Sequence, residues 1–348
     1  MSPFFIEFRD PLFGIIIFFA LVFMITISSY WWTKYKNKEK TKSLDKFLKD
    51  FKTVPTTKEL KLLISQGKMS EKSWILLARL YSKNGDFEKS IEIYNELIEI
   101  TEKSNIQEVM YLLGRTYFKA GFLERSKKVF LEILRNNPRT SRVLYDLVLV
   151  YEYMKDYDSA LEALVPLDEL KNDISLDRLY LKAMKVLNAN DLSNELKAYE
   201  LLELHKIDGN LTYMIFEFLF RVNPKLAWDN LDNSKSELLT DIFWRIDKKD
   251  LDFDIISNNG YLRELYSARG DIQDSSRSSV FEFDVLINLD KKVNTSLSFE
   301  YICDNCKNVF PFAFNRCGNC HTIDTNTVSI TLIKDFHRDY SEENNSFQ

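Results

Sequence analysis

The spacing of apolar and polar residues changes character three times along the chain. Pro11 to Trp32 (PLFGIIIFFALVFMITISSYWW) is a run of 22 residues without a charge. As a helix rising ~1.5 Å per residue it spans about 33 Å, enough to cross the hydrocarbon core of a bilayer. Thr26, Ser28 and Ser29 are tolerated there because hydroxyls can bond carbonyls one turn back, and Tyr30, Trp31 and Trp32 fall where an aromatic belt forms. Apolar residues then adopt helical spacing, first at Leu44, Phe47, Leu48 and Phe51, then at Leu60, Leu63 and Ile64 with Thr57 as N-cap. Helical periodicity continues to about Arg269. Only near Tyr301 does it give way to the short alternation Phe310, Phe312, Phe314 of a strand.

Inside the helical region the pattern repeats. From Trp74, large or small residues stand at Trp74, Leu77, Ala78, Tyr81, Gly85, Ser90, Tyr94 and Leu97. The same offsets from Met110 give Met110, Leu113, Gly114, Tyr117, Gly121, Ser126, Phe130 and Ile133, closing on Pro138. A third copy carries Leu144, Leu147, Val148, Tyr151, Ala160, Leu164 and Leu167, with Lys155 in place of the glycine. This resembles the tetratricopeptide repeat. Small residues at Ala78 and Gly114 let two helices approach, while Gly85 and Gly121 suit a turn needing positive φ. The expected fold is all-α: a tetratricopeptide-type helical repeat solenoid, after one transmembrane helix and before a small rubredoxin-like or zinc-ribbon β domain. From Leu176 to Arg269 the helical pattern persists (LYLKAMKVL, NELKAYELLELH, LTYMIFEFLF, ELLTDIFWRI, YLRELYSARG), but its phase is too blurred to number repeats.

In this repeat the first helix of each pair lines the concave face. Counting from Glu71, Gln107 and Ser141, the second, fifth, ninth and twelfth positions point inward. They include Arg79, Tyr111, Arg115, Phe118, Arg142 and Tyr145, and arginine with aromatics is the chemistry of protein-binding hot spots. These six are the candidate partner groove. Ordinary solvated positions are the competing reading.

The charges beside the apolar run set its direction. Lys34, Lys36, Lys38, Lys40 and Lys42 follow it, whereas Glu7, Arg9 and Asp10 precede it. Basic flanks stay cytoplasmic, so the tail is expected outside and the bulk of the chain inside. A cleaved signal peptide would have the opposite charge order. The expected organisation is a non-cytoplasmic tail (1–10), a transmembrane helix (11–33), a basic juxtamembrane segment with leading helices (34–69) and clear repeats (70–175). Degenerate helical repeats (176–275), a connection (276–300), a metal ribbon (301–335) and a polar tail (336–348) follow. A net charge of −5 gives no case for nucleic acid.

All four cysteines, Cys303, Cys306, Cys317 and Cys320, fall in YICDNCKNVFPFAFNRCGNCHTID. In a reduced cytosol, paired C-x2-C knuckles favour a metal over disulfides. Four thiolates hold one metal ion, zinc or iron, and a closed shell leaves no open position for hydrolytic chemistry. The ribbon is too small to fold on its own core, so metal binding and folding are expected to be one event. His321 is expected to be a surface residue outside the shell, and His205 and His337 are isolated. No phosphate loop, nucleophile constellation or paired carboxylates stand in a supporting context, and no enzymatic activity is expected.

Anchor, repeat array and terminal four-cysteine ribbon, in that order, resemble the lipopolysaccharide assembly protein B (LapB) family of bacterial inner-membrane proteins. Two places depart from the family pattern: Lys307 stands where glycine is usual, and Gly318 where proline is common. The resemblance implies a single-pass inner-membrane adaptor with a rubredoxin-type metal site at the four cysteines. Its implied partners are an FtsH-type protease, an LpxC-type deacetylase client and lipopolysaccharide assembly factors. On that reading the short 271–300 connection leads to the hypothesis that the ribbon docks on the repeats. Homo-oligomerisation is left open. Two alternatives remain: a membrane-tethered scaffold for another envelope or secretion assembly, and an electron-transfer protein with a rubredoxin-like iron centre.

Overall fold

The computed structural model describes residues 21–28, 59, 62–64, 70–101, 105–273, 277–289 and 295–334. The expected tail 1–10, most of the membrane segment, the lysine cluster, Thr57 and the polar tail 336–348 lie outside the described residues. Of the apolar run, residues 21–28 are described; they are helical, and Thr26 Oγ1 donates to the Phe23 carbonyl at 2.9 Å. Among the described residues no helix is long and apolar enough to cross a membrane.

The chain divides into two compact units, Met1–Asp156 and Tyr157–Gln348. In the first, α1 (Glu71–Lys83) pairs with α2 (Phe87–Ile100), α3 (Ile106–Lys119) with α4 (Leu123–Asn136), and α5 (Ser141–Tyr153) packs on α4. Ser70 caps α1, its hydroxyl accepting from the Ser73 N–H at 3.3 Å. One face of each helix is buried. Trp74, Leu77, Ala78, Ile93, Tyr94, Leu97, Val109 and Leu113 form one cluster, and Phe130, Ile133, Val143, Leu147 and Val150 extend it.

The repeat positions serve the expected ends. A Cβ on Gly114 would stand 2.5 Å from Phe130 Cε1, so α3 and α4 approach only because that position lacks a side chain. Fully buried Ser126 returns the contact, donating to the Gly114 carbonyl at 2.8 Å. Gly85 and Gly121 turn with φ +82° and +79°, and Lys155 adopts the same left-handed conformation at φ +60°. In each turn a backbone N–H reaches five residues back: Asp86 to Tyr81, Phe122 to Tyr117 and Asp156 to Tyr151, all at 2.9 Å. The turn is therefore kept where its glycine is lost.

The second unit opens with α6 (Tyr157–Glu169), α7 (Ser175–Asn188) and α8 (Asn194–Asp208). At its centre, α9 (Thr212–Val222) buries Tyr213, Met214, Ile215, Phe216, Phe218, Leu219 and Phe220, which covers nearly its whole circumference. Its polar face is reduced to Glu217 and Arg221, one turn apart, and so narrow a stripe gives the repeat little phase to read there. Shorter pieces follow: α10 (Pro224–Asp229), a 3₁₀ turn at Asn233–Leu239, α11 (Thr240–Arg245), a second at Lys248–Asp250, α12 (Phe253–Asn258) and α13 (Gly260–Arg269). Phe220, Trp228 and Phe243 join them through rings 5.0–5.4 Å apart.

The expected connection 276–300 contains α14 (Phe281–Asn288), held to α13 by fully buried Phe283 against Tyr261, with ring centroids 5.6 Å apart. The ribbon is a three-stranded antiparallel sheet ordered β2-β1-β3: β1 is Thr295–Cys303, β2 Val309–Phe310 and β3 Asn326–Lys334. It begins earlier than the cysteine knuckles suggest, because β1 runs six residues ahead of Tyr301 to pair Thr295 with Lys334.

Candidate metal centre and interaction groove

The two knuckles share one backbone device. After the second cysteine of each, Lys307 and His321 enter the left-handed region at φ +58° and +60°. The N–H of Lys307 donates to the Cys303 carbonyl at 2.8 Å, and that of His321 to the Cys317 carbonyl at 2.9 Å. This folds each C-x2-C so that both thiols face the same side. Lys307 thus occupies a conformation that glycine adopts at less cost.

The four Sγ atoms lie within 4.8 Å of one another, with Cys303–Cys320 at 3.6 Å and Cys306–Cys317 at 3.7 Å. A disulfide needs ~2.05 Å. A tetrahedron of thiolates ~2.3 Å from one ion has edges of about 3.8 Å, so the set fits a four-thiolate metal site. Cys303 and Cys317 are fully buried. Hydroxyls form a further layer: Thr322 Oγ1 is 3.0 Å from Cys320 Sγ, Thr325 Oγ1 is 3.3 Å from Cys303 Sγ, and the two hydroxyls are 3.2 Å apart. Burial works against the Cys303 thiolate, but the Cys306 N–H and the Thr325 and Thr322 hydroxyls hold that thiol at about 5. The Thr322 hydroxyl and N–H hold Cys320 at about 7, while burial pushes Cys317 up to about 11. The arrangement supplies deprotonated sulfur, and a bound ion would draw the remaining protons off.

Thr322 and Thr325 were not anticipated; hydroxyls two and five residues beyond the last cysteine were the available signal. His321 lies outside the thiolate set. The strand expected through Phe310, Phe312 and Phe314 ends at Phe310. Phe310 and Phe314 meet edge to face at 4.9 Å, but the backbone bends after Phe310, leaving Phe312 79% exposed.

The ribbon sits on the helices of its own unit. Arg316 donates to Asp177 of α7 at 3.3 Å, lies 4.8 Å over the Tyr180 ring and donates to the His321 carbonyl at 2.8 Å. Asp324 accepts the Leu211 N–H at 2.9 Å, at the entrance to α9. Tyr301 reaches Asp241 of α11. The second knuckle and the first strand are thereby tied to residues at least sixty positions away in sequence.

In the first unit, four of the six groove candidates form a connected set. Arg142 bonds Glu108 at 2.5 Å and lies 4.4 Å over the Tyr111 ring, and Arg79 is 3.9 Å from Glu108. Arg115 pairs with Asp146 at 3.5 Å and stands 5.9 Å from Tyr111. Burial, then Asp146, pushes the Tyr111 phenol up to about 12. Phe118 instead packs edge to face on Tyr153 at 5.0 Å, and Tyr145 is half-buried. Leu149 and Glu152, also expected to face inward, are buried. Two cations at the mouth, Lys83 and Lys119, were missed because they sit one position past the twelfth, yet a lysine at the same place in two copies was a readable sign.

A family model described as Tetratricopeptide repeat matches residues 71–104. Comparison with curated proteins finds no match. Residues 71–104 contain α1 and α2, so the first helical pair is similar to a tetratricopeptide repeat, a unit suited to protein–protein interaction.

Proposed function

We propose that the chain is a membrane-tethered protein-interaction adaptor of the LapB type, linking an LpxC-type deacetylase to turnover by an FtsH-type protease. Repeat helices carry the partner contacts, the N-terminal apolar run holds them at the cytoplasmic face of an inner membrane, and the metal ribbon braces the second unit. One observation supports the reading above the rest: repeat-type helix pairs and a closed four-thiolate ribbon seated on helices occur in one chain. A closed shell offers cross-linking and not an open coordination position, as bracing requires.

The test is affinity capture of the tagged full-length chain from detergent-solubilised native membranes, with co-purifying proteins identified by mass spectrometry. A protease of the FtsH type and the deacetylase are the expected partners, and depletion of the chain should lengthen the deacetylase's half-life. Recovery of an unrelated secretion assembly with an unchanged half-life would replace this reading with the general scaffold.

A further inference from the structure

Between α1 and α3 is a cavity of about 290 Å³ whose lining includes Arg79, Lys83, Tyr94, Tyr111, Arg115 and Lys119. The charges there do not balance. Glu108 is engaged by Arg79 and Arg142, and Asp146 by Arg115. Lys83 and Lys119 have no carboxylate within ion-pair distance among the described residues, so cations outnumber carboxylates around the notch. The chain as a whole is acidic, at −5, which makes this a local inversion of sign.

Lysines in the last turn of a helix commonly complement the helix dipole. Here that account is incomplete, because it does not explain why both lysines join Arg79 and Arg115 around one notch. Burial, then the neighbouring Arg115 and Lys83, lowers the Lys119 ammonium from its ordinary value, so gathering these cations has a cost. Glu108 and Asp146 meanwhile fix the guanidinium groups in position. Such a site is preorganised for an anion.

We propose that this notch receives the carboxylates of an acidic peptide segment of a partner protein. The assignment rests on the adaptor reading for its biological setting and on charge complementarity for its chemistry. Tyr94, Tyr111, Leu112 and Thr116 supply the half-apolar wall that peptide methylenes need and a bare inorganic anion does not.

The test measures fluorescence anisotropy of labelled octaglutamate with the full-length chain in non-ionic detergent. Binding that weakens as salt rises is expected, and the double variant Lys83→Glu, Lys119→Glu should weaken it about tenfold. The double variant Lys128→Glu, Arg135→Glu makes the same charge change on α4, outside the notch, and should leave affinity within about twofold. No binding by the native chain, equal loss in both double variants, or displacement by inorganic phosphate as effective as by unlabelled octaglutamate would each overturn the proposal. Octaglutamate binding retained while membrane partners are absent overturns the adaptor reading alone. Partner capture retained with octaglutamate binding unaffected by Lys83→Glu, Lys119→Glu overturns the notch alone.

Discussion

Tyr301, on the first strand of the ribbon, donates its hydroxyl to Oδ2 of Asp241 at 2.7 Å across sixty residues of sequence. The same oxygen accepts the Tyr213 hydroxyl from α9 at 2.7 Å, and the carboxyl group is fully buried. Its nearest cation, Arg245, is 3.8 Å away. Burial and then Asp241 raise both phenols above their ordinary value, which keeps them protonated donors. Removing one donor leaves a buried oxygen short of a partner, which costs about 1–3 kcal/mol. Tyr301→Phe should therefore lower the unfolding free energy of the second unit by that amount, read as a lower denaturant midpoint. A double-mutant cycle with Asp241→Asn should show coupling, and additive effects would mean the bond does not hold the ribbon.

Metal removal should loosen more than the ribbon. The knuckle carrying Cys317 and Cys320 also carries Arg316 and Asp324, which hold Asp177 and the Leu211 N–H. Chelation or Cys317→Ser is expected to abolish stoichiometric metal, expose the ribbon to protease and lower the melting temperature of the helices it covers. In the loaded protein the ribbon and those helices should resist protease together. Selective release of the ribbon with the helices unchanged in stability would show that the docking carries no energy.

The two halves of the protein differed in how plainly they could be read. Trp74, Gly85, Gly114, Gly121 and Phe130 announce helix pairs because each residue type answers one steric demand at a fixed offset. The four thiols announce a candidate four-thiolate site because two C-x2-C pairs offer four ligands at the spacing such sites use. Around α9 the pattern is hard to read, since most positions from Tyr213 to Phe220 are buried and only Glu217 and Arg221, one turn apart, mark a narrow polar stripe. Docking was legible only as a hypothesis, from the resemblance and the short connection over 271–300. Arg316 and Asp324 are unremarkable until the fold brings Asp177 and Leu211 beside them, 139 and 113 residues away. In the same way, Glu108 and Asp146 turn the groove arginines from free hot spots into partners of their own unit.

Gly114→Ala tests the close approach of α3 and α4. The new methyl would stand 2.5 and 2.9 Å from Phe130 Cε1 and Cδ1, and Phe130 is fully buried with no room to retreat. Overpacking of this kind costs about 1–3 kcal/mol, less any gain in helix propensity. A lower melting temperature for the first unit is expected, with partial rescue by Phe130→Leu. Stability equal to the parent would show that the helices separate freely.

Lys155 offers a change in the opposite direction. Its φ of +60° matches a turn that glycine makes at Gly85 and Gly121. The left-handed conformation costs a non-glycine residue ~1–2 kcal/mol, and glycine's own entropy returns about 0.5–1 of this. Lys155→Gly should stabilise the first unit by up to about 1 kcal/mol, and Lys155→Val should destabilise it. Equilibrium unfolding of the three proteins gives the order directly.

The buried phenols predict how the fold fails in alkali. Burial is the leading cause that pushes Tyr94 in the first unit and Tyr261 in the second up to about 12, with Arg79 pulling the former back and Thr240 the latter. In the unfolded chain both return to the ordinary value of 10.0. Below that pH the phenols are protonated in both states and their contribution to stability is complete. As pH rises from 10 toward 12 the unfolded chain releases protons that the fold retains, so stability falls, by about 2 kcal/mol for each phenol. Near-ultraviolet phenolate absorbance should therefore rise in two stages, an early one from exposed tyrosines and a late one that coincides with loss of helical circular dichroism. Tyr261→Phe should make the second unit less sensitive to alkali, although it also removes the bond to Thr240. Ionisation of every tyrosine near pH 10 with the helices intact would show these phenols to be open to water.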